Sequence, residues 1–405
     1  MRLLQIIPSM DPRIGGPCQG VRNFTPRIIE QGNTVEVVCL DDPQSDYLVR
    51  EAIPIHALGK GRGPWCYHPA LQSWLRANLL RFDAVILNGL WQYPGYALAK
   101  ATQSAPMPPY FIFPHGMLDP WFQRARSRRL KAVRNWYYWK FIEHRVVSGA
   151  EALLFTCAEE MRISRETFRP YRPKREVNVG FGICEPPPFH ERMKSEFTRK
   201  CSNVAGRDYL LFLGRIDPKK GLDLLIRAYA TSYAGKSPSC LVIAGPGVES
   251  SFGRRMQKLA SNICPRDSVF WPGMLTGDAK WGALYNADAF ALMSHQENFG
   301  IAAVESLACE TPVLISNKVN IWREIKDSKA GIVGDDTVAG AQDLLYRWKS
   351  VSQADKFSMR KAAKNSYATH YNIDSASQNL LTAIGTLTSV RSQERSCDNG
   401  IDILR

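Results

Sequence analysis

Short apolar runs alternate with helical stretches along almost the whole chain, and this alternation constrains the fold more than any other feature. Candidate strands fall at 3–7, 35–39, 84–87, 110–113, 152–155 and 177–179, then at 209–213, 241–244, 269–271, 289–293, 313–315 and 331–333. Helical stretches such as 221–233 and 252–262 separate most of them. Strand, helix, strand repeated in this way predicts parallel sheets covered on both faces. So many strands exceed one compact open sheet, and the 405 residues are expected to form two doubly wound α/β domains. The boundary falls at Pro186-Pro187-Pro188, since three prolines continue neither a helix nor a central strand. The expected layout is a first domain at 1–185, a linker at 186–207 and a second domain at 208–371. A C-terminal helix at 372–388, able to pack back on the first domain, then leads into a polar tail at 389–405 read as disordered.

Charge narrows the partners. The net charge of +14 favours an acidic one: phosphate, anionic lipid or nucleic acid. No zinc spacing or RNA-binding signature accompanies it, which argues against nucleic acid. The ten cysteines are scattered singly without C-x-x-C and read as reduced thiols of a cytoplasmic protein. The apolar run behind Met1 is too short for a signal peptide and fits a buried first strand. No stretch approaches the roughly 18–20 apolar residues of a membrane span, so a soluble or membrane-surface protein is expected.

Chemistry concentrates at the carboxyl ends of the predicted strands, where parallel sheets bind ligands. Glu297 follows the strand run Asp288–Ser294, and Glu305 lies in the helix opened by Phe299-Gly300. At about 1.5 Å rise per residue, Glu305 sits roughly 7–8 Å from the helix start. A helix N-terminus favours phosphate, and a carboxylate one to two turns on can accept hydrogen bonds from sugar hydroxyls. Diphosphate at the helix tip, ribose beside Glu305 and a second sugar near Glu297 make up a nucleotide-sugar. Arg215 and Lys220 flank another strand-to-helix turn and suit phosphate oxygens. Gly15-Gly16-Pro17 after the first strand lets backbone amides approach a phosphate, though it lacks the G-x-G-x-x-G dinucleotide fingerprint. His115 follows the strand at 110–113 and points into the corresponding crevice.

Four motifs together carry a family resemblance. They are Leu213-Gly-Arg-x-x-x-x-Lys-Gly221, Ala244-Gly-Pro-Gly247, Pro272-Gly273 and Ser294-x-x-Glu-x-Phe-Gly-x-x-x-x-Glu305. The chain resembles the retaining glycosyltransferase family 4, the glycosyl transferases group 1, over about 2–388. The resemblance implies a GT-B fold, with two Rossmann-like domains facing across a cleft. It implies transfer of a sugar from a nucleoside diphosphate to a glycan or lipid-linked acceptor, with surface polysaccharide synthesis as the setting. Carried over, Arg215 and Lys220 hold the diphosphate, and Glu305 binds the ribose. Glu297, Asn298, Phe299, Gly300 and Ile301 hold the donor sugar and phosphate. Gly15 and Gly16 lie under the phosphates, and His115 reaches the donor sugar from the other domain. His115 and Glu297 are the implied catalytic pair. The family often shows Asn-Gly-Val-Asp at the end of the first domain, where this chain has Asn178-Val-Gly-Phe-Gly-Ile183. No Asp-x-Asp occurs, so neither a metal nor another cofactor is expected, and cations and helix amides are left to meet the leaving-group charge.

Two features lie outside that set. Asn88 and Trp91, with Trp65–His68, either line an acceptor site or belong to the core. The window 121–145 carries Arg124, Arg126, Arg128, Arg129, Lys131, Arg134, Lys140 and Arg145 against Glu143 alone, with seven aromatics interleaved. That composition suits either an anionic membrane surface, at the inner face of the plasma membrane, or a helix with aromatics in the core and a solvated basic face. The rival functions are a sugar-nucleotide epimerase, which needs no acceptor, and a non-catalytic sugar- or lipid-binding scaffold of the same fold.

Overall fold

A computed structural model describes residues 1–401 apart from 50, 52, 104–106, 126–127 and 234–238, with side chains described as far as 390. The chain divides into two compact units, Met1–Gly182 with Ile373–Arg405, and Ile183–Asn372.

The first unit is built on strands β1 (Arg2–Ile6), β2 (Thr34–Cys39), β3 (Ile55–Ala57), β4 (Ala84–Asn88), β5 (Tyr110–Phe113), β6 (Ala152–Phe155) and β7 (Glu176–Asn178). They form one parallel sheet in the order β3-β2-β1-β4-β5-β6-β7. Every residue of β4, β5 and β6 is buried, as continuous apolar runs require when helices cover both faces. On one side Leu71 and Leu75 of the helix Pro69–Asn78, with Ala97 and Leu98 of Tyr93–Ala101, pack on Leu4, Ile6, Val85 and Leu87. On the other, Cys18 and Val21 of the helix Gly16–Glu30 pack with Ile7, Val37 and Cys39.

The second unit uses β8 (Tyr209–Leu213), β9 (Cys240–Ala244), β10 (Val269–Gly273), β11 (Ala289–Leu292), β12 (Val313–Ser316) and β13 (Gly331–Gly334). Their order is β10-β9-β8-β11-β12-β13, again parallel throughout. In each sheet the winding reverses once, between β1 and β4 and between β8 and β11. Loops leaving the carboxyl ends of such neighbours open in opposite directions, and the gap between them is where doubly wound sheets take ligands.

Three expectations are revised. The edge strand β3 was not foreseen, because three residues behind Pro54 are too short to display a period. The stretch 186–207, expected as a linker, contains the helix Glu191–Lys200, whose Met193 and Phe197 are buried. The last helix runs Ile373–Ile401, so the backbone of 389–401 continues a helix where the sequence predicts a disordered tail. Residues 402–405 lie outside the described residues. Among the described residues no helix is long and apolar enough to cross a membrane.

Candidate active site

In the second unit the two loops at the switch point are tied together. The turn Pro218–Lys220 follows β8, and the backbone N–H of His295, after β11, donates to the Lys219 carbonyl at 2.9 Å. Gly221 closes the turn with a left-handed φ of 60°. A Cβ there would lie 1.8 Å from the Met293 carbonyl oxygen, so only glycine lets the turn approach β11 this closely. This approach brings Lys220 into a direct ion pair with Glu297, both side chains largely buried. Burial pushes the Glu297 carboxyl up, but the cations Lys220, Lys219 and Arg215 outweigh it and hold its pKa below the ordinary carboxylate value. Glu297 is therefore an anion at neutral pH.

The Glu297 backbone is clamped from the far side. Its N–H donates to the Lys318 carbonyl at 2.9 Å and its carbonyl accepts from Asn320 N–H at 2.9 Å. Asn320 also donates from its side chain to Asn298 Oδ1 at 3.3 Å. Gly300, with φ of 74°, caps the helix Ile301–Ala308, whose first-turn amides at Gly300 and Ile301 have no intrahelical carbonyl to meet. Phe299 is buried against the Tyr371 ring, 5.6 Å between centroids. Glu305 pairs with Lys280 at 2.6 Å. Arg215 is exposed and has neither hydrogen bond nor ion pair among the described residues. Arg215, Lys220, Glu297, Asn298, Phe299, Gly300, Ile301 and Glu305 thus gather at the β8/β11 switch point and the helix it opens.

Two features of this arrangement were not legible in the sequence. Lys220, read as a diphosphate ligand, is engaged with Glu297, so an incoming phosphate would share it with a carboxylate. Lys280, in the helix Gly277–Tyr285, was missed altogether. Its signal is a cation on the helix that follows Pro272-Gly273, and only the fold places it beside Glu305.

In the first unit the switch point gathers Gly15, Gly16, Asn88 and His115. The loop after β1 hangs on Asp41, which accepts from Ser9 Oγ at 2.5 Å and from Met10 N–H at 2.7 Å. Gly15 has φ of 103°, and Gly16 opens the 15-residue helix Gly16–Glu30, with no atom within 4 Å of a Cβ built on either glycine. His115 adopts φ of 51°, a left-handed conformation uncommon outside glycine. Its ring stacks on Phe113 at 5.3 Å and meets the edge of Phe181 at 6.4 Å. The next residue's N–H, at Gly116, donates to buried Glu160 at 2.5 Å, an acid in the first turn of the helix Ala158–Ser164 that sequence reading passed over.

Asn88 requires a correction. Of the two readings open for it, acceptor face or core, the structure gives the core, since it is buried behind His115. Its Nδ2 donates to Gln5 Oε1 at 2.7 Å, which leaves Oδ1 to accept from His115 Nε2 at 3.1 Å. That pairing fixes the tautomer with the proton on Nε2 and leaves Nδ1 as the acceptor. Burial pushes the His115 pKa down to about 4, so the ring is neutral at physiological pH. Trp91 belongs with the core reading. It has φ of 72°, its indole N–H donates to the Met117 carbonyl at 3.3 Å, and its ring packs against Tyr138, Trp139 and Phe168.

Comparison with known proteins accords with this geometry. Residues 194–365 match the family described as glycosyl transferases group 1, and residues 15–180 match the glycosyl transferase 4-like domain. A D-inositol 3-phosphate glycosyltransferase of Thermomonospora curvata is 31% identical over 208 residues, covering 48% of this chain and 47% of that protein. A second, of Acidothermus cellulolyticus, is 29% identical over 133 residues, 31% of this chain and 30% of its own length. The chain thus spans half or less of the length of the curated relatives it matches. Among solved structures, a glycosyltransferase of Rickettsia africae superposes with TM-score 0.76 at 13% identity over 95% of this chain and 98% of that one. Anabaena HepE, solved in complex with UDP and glucose, superposes with TM-score 0.73 at 14% identity over 95% and 100%. These structural likenesses establish the fold, and the two family matches lie in tandem over the two sheets. The chain belongs to the glycosyl transferases group 1, the family-4-like glycosyltransferases of GT-B fold.

Proposed function

We propose that the protein moves a sugar, with retention of anomeric configuration, from a nucleoside-diphosphate sugar to a glycan or lipid-linked acceptor in surface polysaccharide synthesis, drawing on a cytoplasmic donor pool. The observation that carries this reading is the switch point of the second unit. There Arg215, Lys219, Lys220 and Lys280 surround the anions Glu297 and Glu305 beside an open helix N-terminus. Cations and amides suit a diphosphate, and the two carboxylates suit the hydroxyls of the sugars on either side of it. Binding of UDP and glucose by HepE supports the same donor class here.

In the proposed transfer the bond from the sugar's anomeric carbon to the diphosphate oxygen breaks, and the acceptor hydroxyl forms its new bond on the same face. The hydroxyl proton leaves with the diphosphate. Arg215, Lys220 and the Gly300 and Ile301 amides meet the charge growing on the leaving group. Glu297, anionic and held by Lys220, stabilises positive charge developing on the sugar. His115, neutral and with Nδ1 unprotonated, accepts a hydrogen bond from a sugar hydroxyl. Arg215, Lys220 and Gly300 leave the phosphates without need of a metal.

The test is a thermal-shift panel of UDP, GDP, ADP and their sugars, followed by NMR of the product's anomeric configuration. A shift with one nucleotide family and a retained configuration are expected. No shift with any nucleotide refutes the donor reading. Donor conversion without an acceptor points instead to the epimerase.

A further inference from the structure

The window 121–145 folds as helices Trp121–Arg124 and Arg129–Tyr138, a wide turn Trp139–Glu143 and the helix His144–Gly149. Its inner face is satisfied. Asn135 and Trp139 are buried, and Tyr138 accepts a hydrogen bond from Trp65 Nε1 at 2.5 Å while its ring meets Trp91 at 6.4 Å.

Its outer face is not a polar helix surface. Leu130 is 89% exposed, Val133 57%, Tyr137 54%, Phe141 59% and Trp136 49%. Steps of three, four and four residues set Leu130, Val133, Tyr137 and Phe141 in one line, with Trp136 beside it. The Tyr137 and Phe141 rings stack with planes 8° apart, so the line is continuous. Lys140 lies over the Trp136 and Phe141 rings at 5.1 and 5.9 Å. Arg124, Arg129, Lys131 and Arg134 are exposed around it, and no carboxylate pairs with any of them among the described residues. Arg128 is half-buried over the Phe122 ring, and Arg126 lies outside the described residues. The window's single acid, Glu143, is wholly buried, so this face carries no negative charge.

We infer that this outer face docks on an anionic phospholipid bilayer, with Leu130, Val133, Tyr137 and Phe141 entering the headgroup–acyl boundary and the flanking cations meeting lipid phosphates. Charge complementarity selects the partner, since a positive rim without acids fits a negative surface. The exposed aliphatics Leu130 and Val133 separate this from nucleic-acid binding, which uses cations and stacking rings. Interfacial helices combine an apolar line with flanking Lys and Arg in this way. The connection carrying the helix starts at His115, and its inner face touches Trp65 and Trp91. Docking therefore holds this part of the first unit at the membrane surface. A lipid-linked acceptor follows from this only if the transferase reading above is also right.

The test is co-sedimentation of the full chain with phosphatidylcholine vesicles, with and without phosphatidylglycerol. The wild type should pellet with the anionic vesicles only. Combined Arg129→Ser, Lys131→Ser and Arg134→Ser should weaken partition about 100-fold, since each cation near such a surface contributes about fivefold. Combined Leu130→Ser, Val133→Ser and Phe141→Ser should remove the part of binding that survives high salt. The melting temperature, and its shift with the nucleoside diphosphate that the donor panel identifies, should be unchanged in both variants and report folding and donor binding separately. Wild-type protein left in the supernatant with anionic vesicles at low salt overturns the inference. So does a concentration-dependent dimer abolished by the apolar variant, which would make the face a contact between copies, or RNA binding without vesicle binding.

Discussion

In the proposed transfer three residues carry most of the chemistry, and each makes a separate prediction. Arg215 is exposed at the donor switch point, so Arg215→Ala should leave the fold intact. Nucleoside-diphosphate binding should weaken by roughly 2–3 kcal/mol, the scale of a charged hydrogen bond. Isothermal titration with unchanged affinity would remove Arg215 from the site. Glu297→Gln removes the anion but keeps the shape. Turnover should fall by at least ~100-fold with a smaller change in donor affinity, measured as a split between kcat and KM. His115 is read as neutral, with its proton on Nε2 held by Asn88. Nitrogen NMR at neutral pH should show that tautomer with no titration until about pH 4, the value to which burial lowers it. Its folded-state pKa is depressed, so its contribution to stability is present above the unfolded value of 6.5 and is lost as pH falls toward 4. A ring charged at pH 6 would refute both the environment and the proposed acceptor role.

At the scale of elements, the informative case is the turn Trp139–Glu143, whose hydrogen bonds are spaced one residue wider than an α-helix's. It carries Glu143 into a buried site where its carboxyl oxygens meet only a weak approach from the Trp91 backbone N–H in place of a full hydrogen bond. Burial pushes its pKa from 4.5 up to about 8, with the Trp91 backbone pulling the other way. The folded state therefore holds a proton that the unfolded chain releases near pH 4.5. The associated stability is complete below that value and is lost as pH rises to about 8, by an amount on the order of 4–5 kcal/mol. Glu143→Gln is neutral at every pH. It should flatten that dependence and raise stability at pH 8 by about 2–3 kcal/mol after the cost of its own unpaired amide. Urea titrations at pH 5 and pH 9 that show the same slope of stability with pH in both proteins would refute this account.

At the scale of the whole molecule, the C-terminal helix belongs to the first unit although the second unit lies between them in the chain. Ile373, Ala376, Leu380 and Ile384 are buried, and Asp374 pairs with Arg27 of the helix Gly16–Glu30 at 3.2 Å. Ending the chain at Asn372 should therefore lower the melting temperature of the first unit. Binding by the second unit of whichever nucleoside diphosphate the thermal-shift panel identifies should survive. Equal loss in both units, read by domain-resolved hydrogen exchange, would contradict the division.

Much of this architecture could be read from the sequence, because a buried parallel strand must be apolar on both faces. Runs such as Tyr110–Phe113, Ala152–Phe155 and Tyr209–Leu213 therefore announce themselves locally. The strand-end positions of Gly15, His115, Arg215 and Glu297 follow from the same pattern. Partners did not follow, because pairing across loops depends on which strands become neighbours. Asn88 precedes His115 by 27 residues and Lys220 precedes Glu297 by 77. Both pairs exist only because β4 lies beside β5, and β8 beside β11. The Lys280–Glu305 pair, the orienting role of Asn88 and the choice between core and surface for the aromatics of 121–145 were likewise tertiary decisions. Periodicity states that a helix has two faces, but only packing determines which of them the rest of the molecule covers.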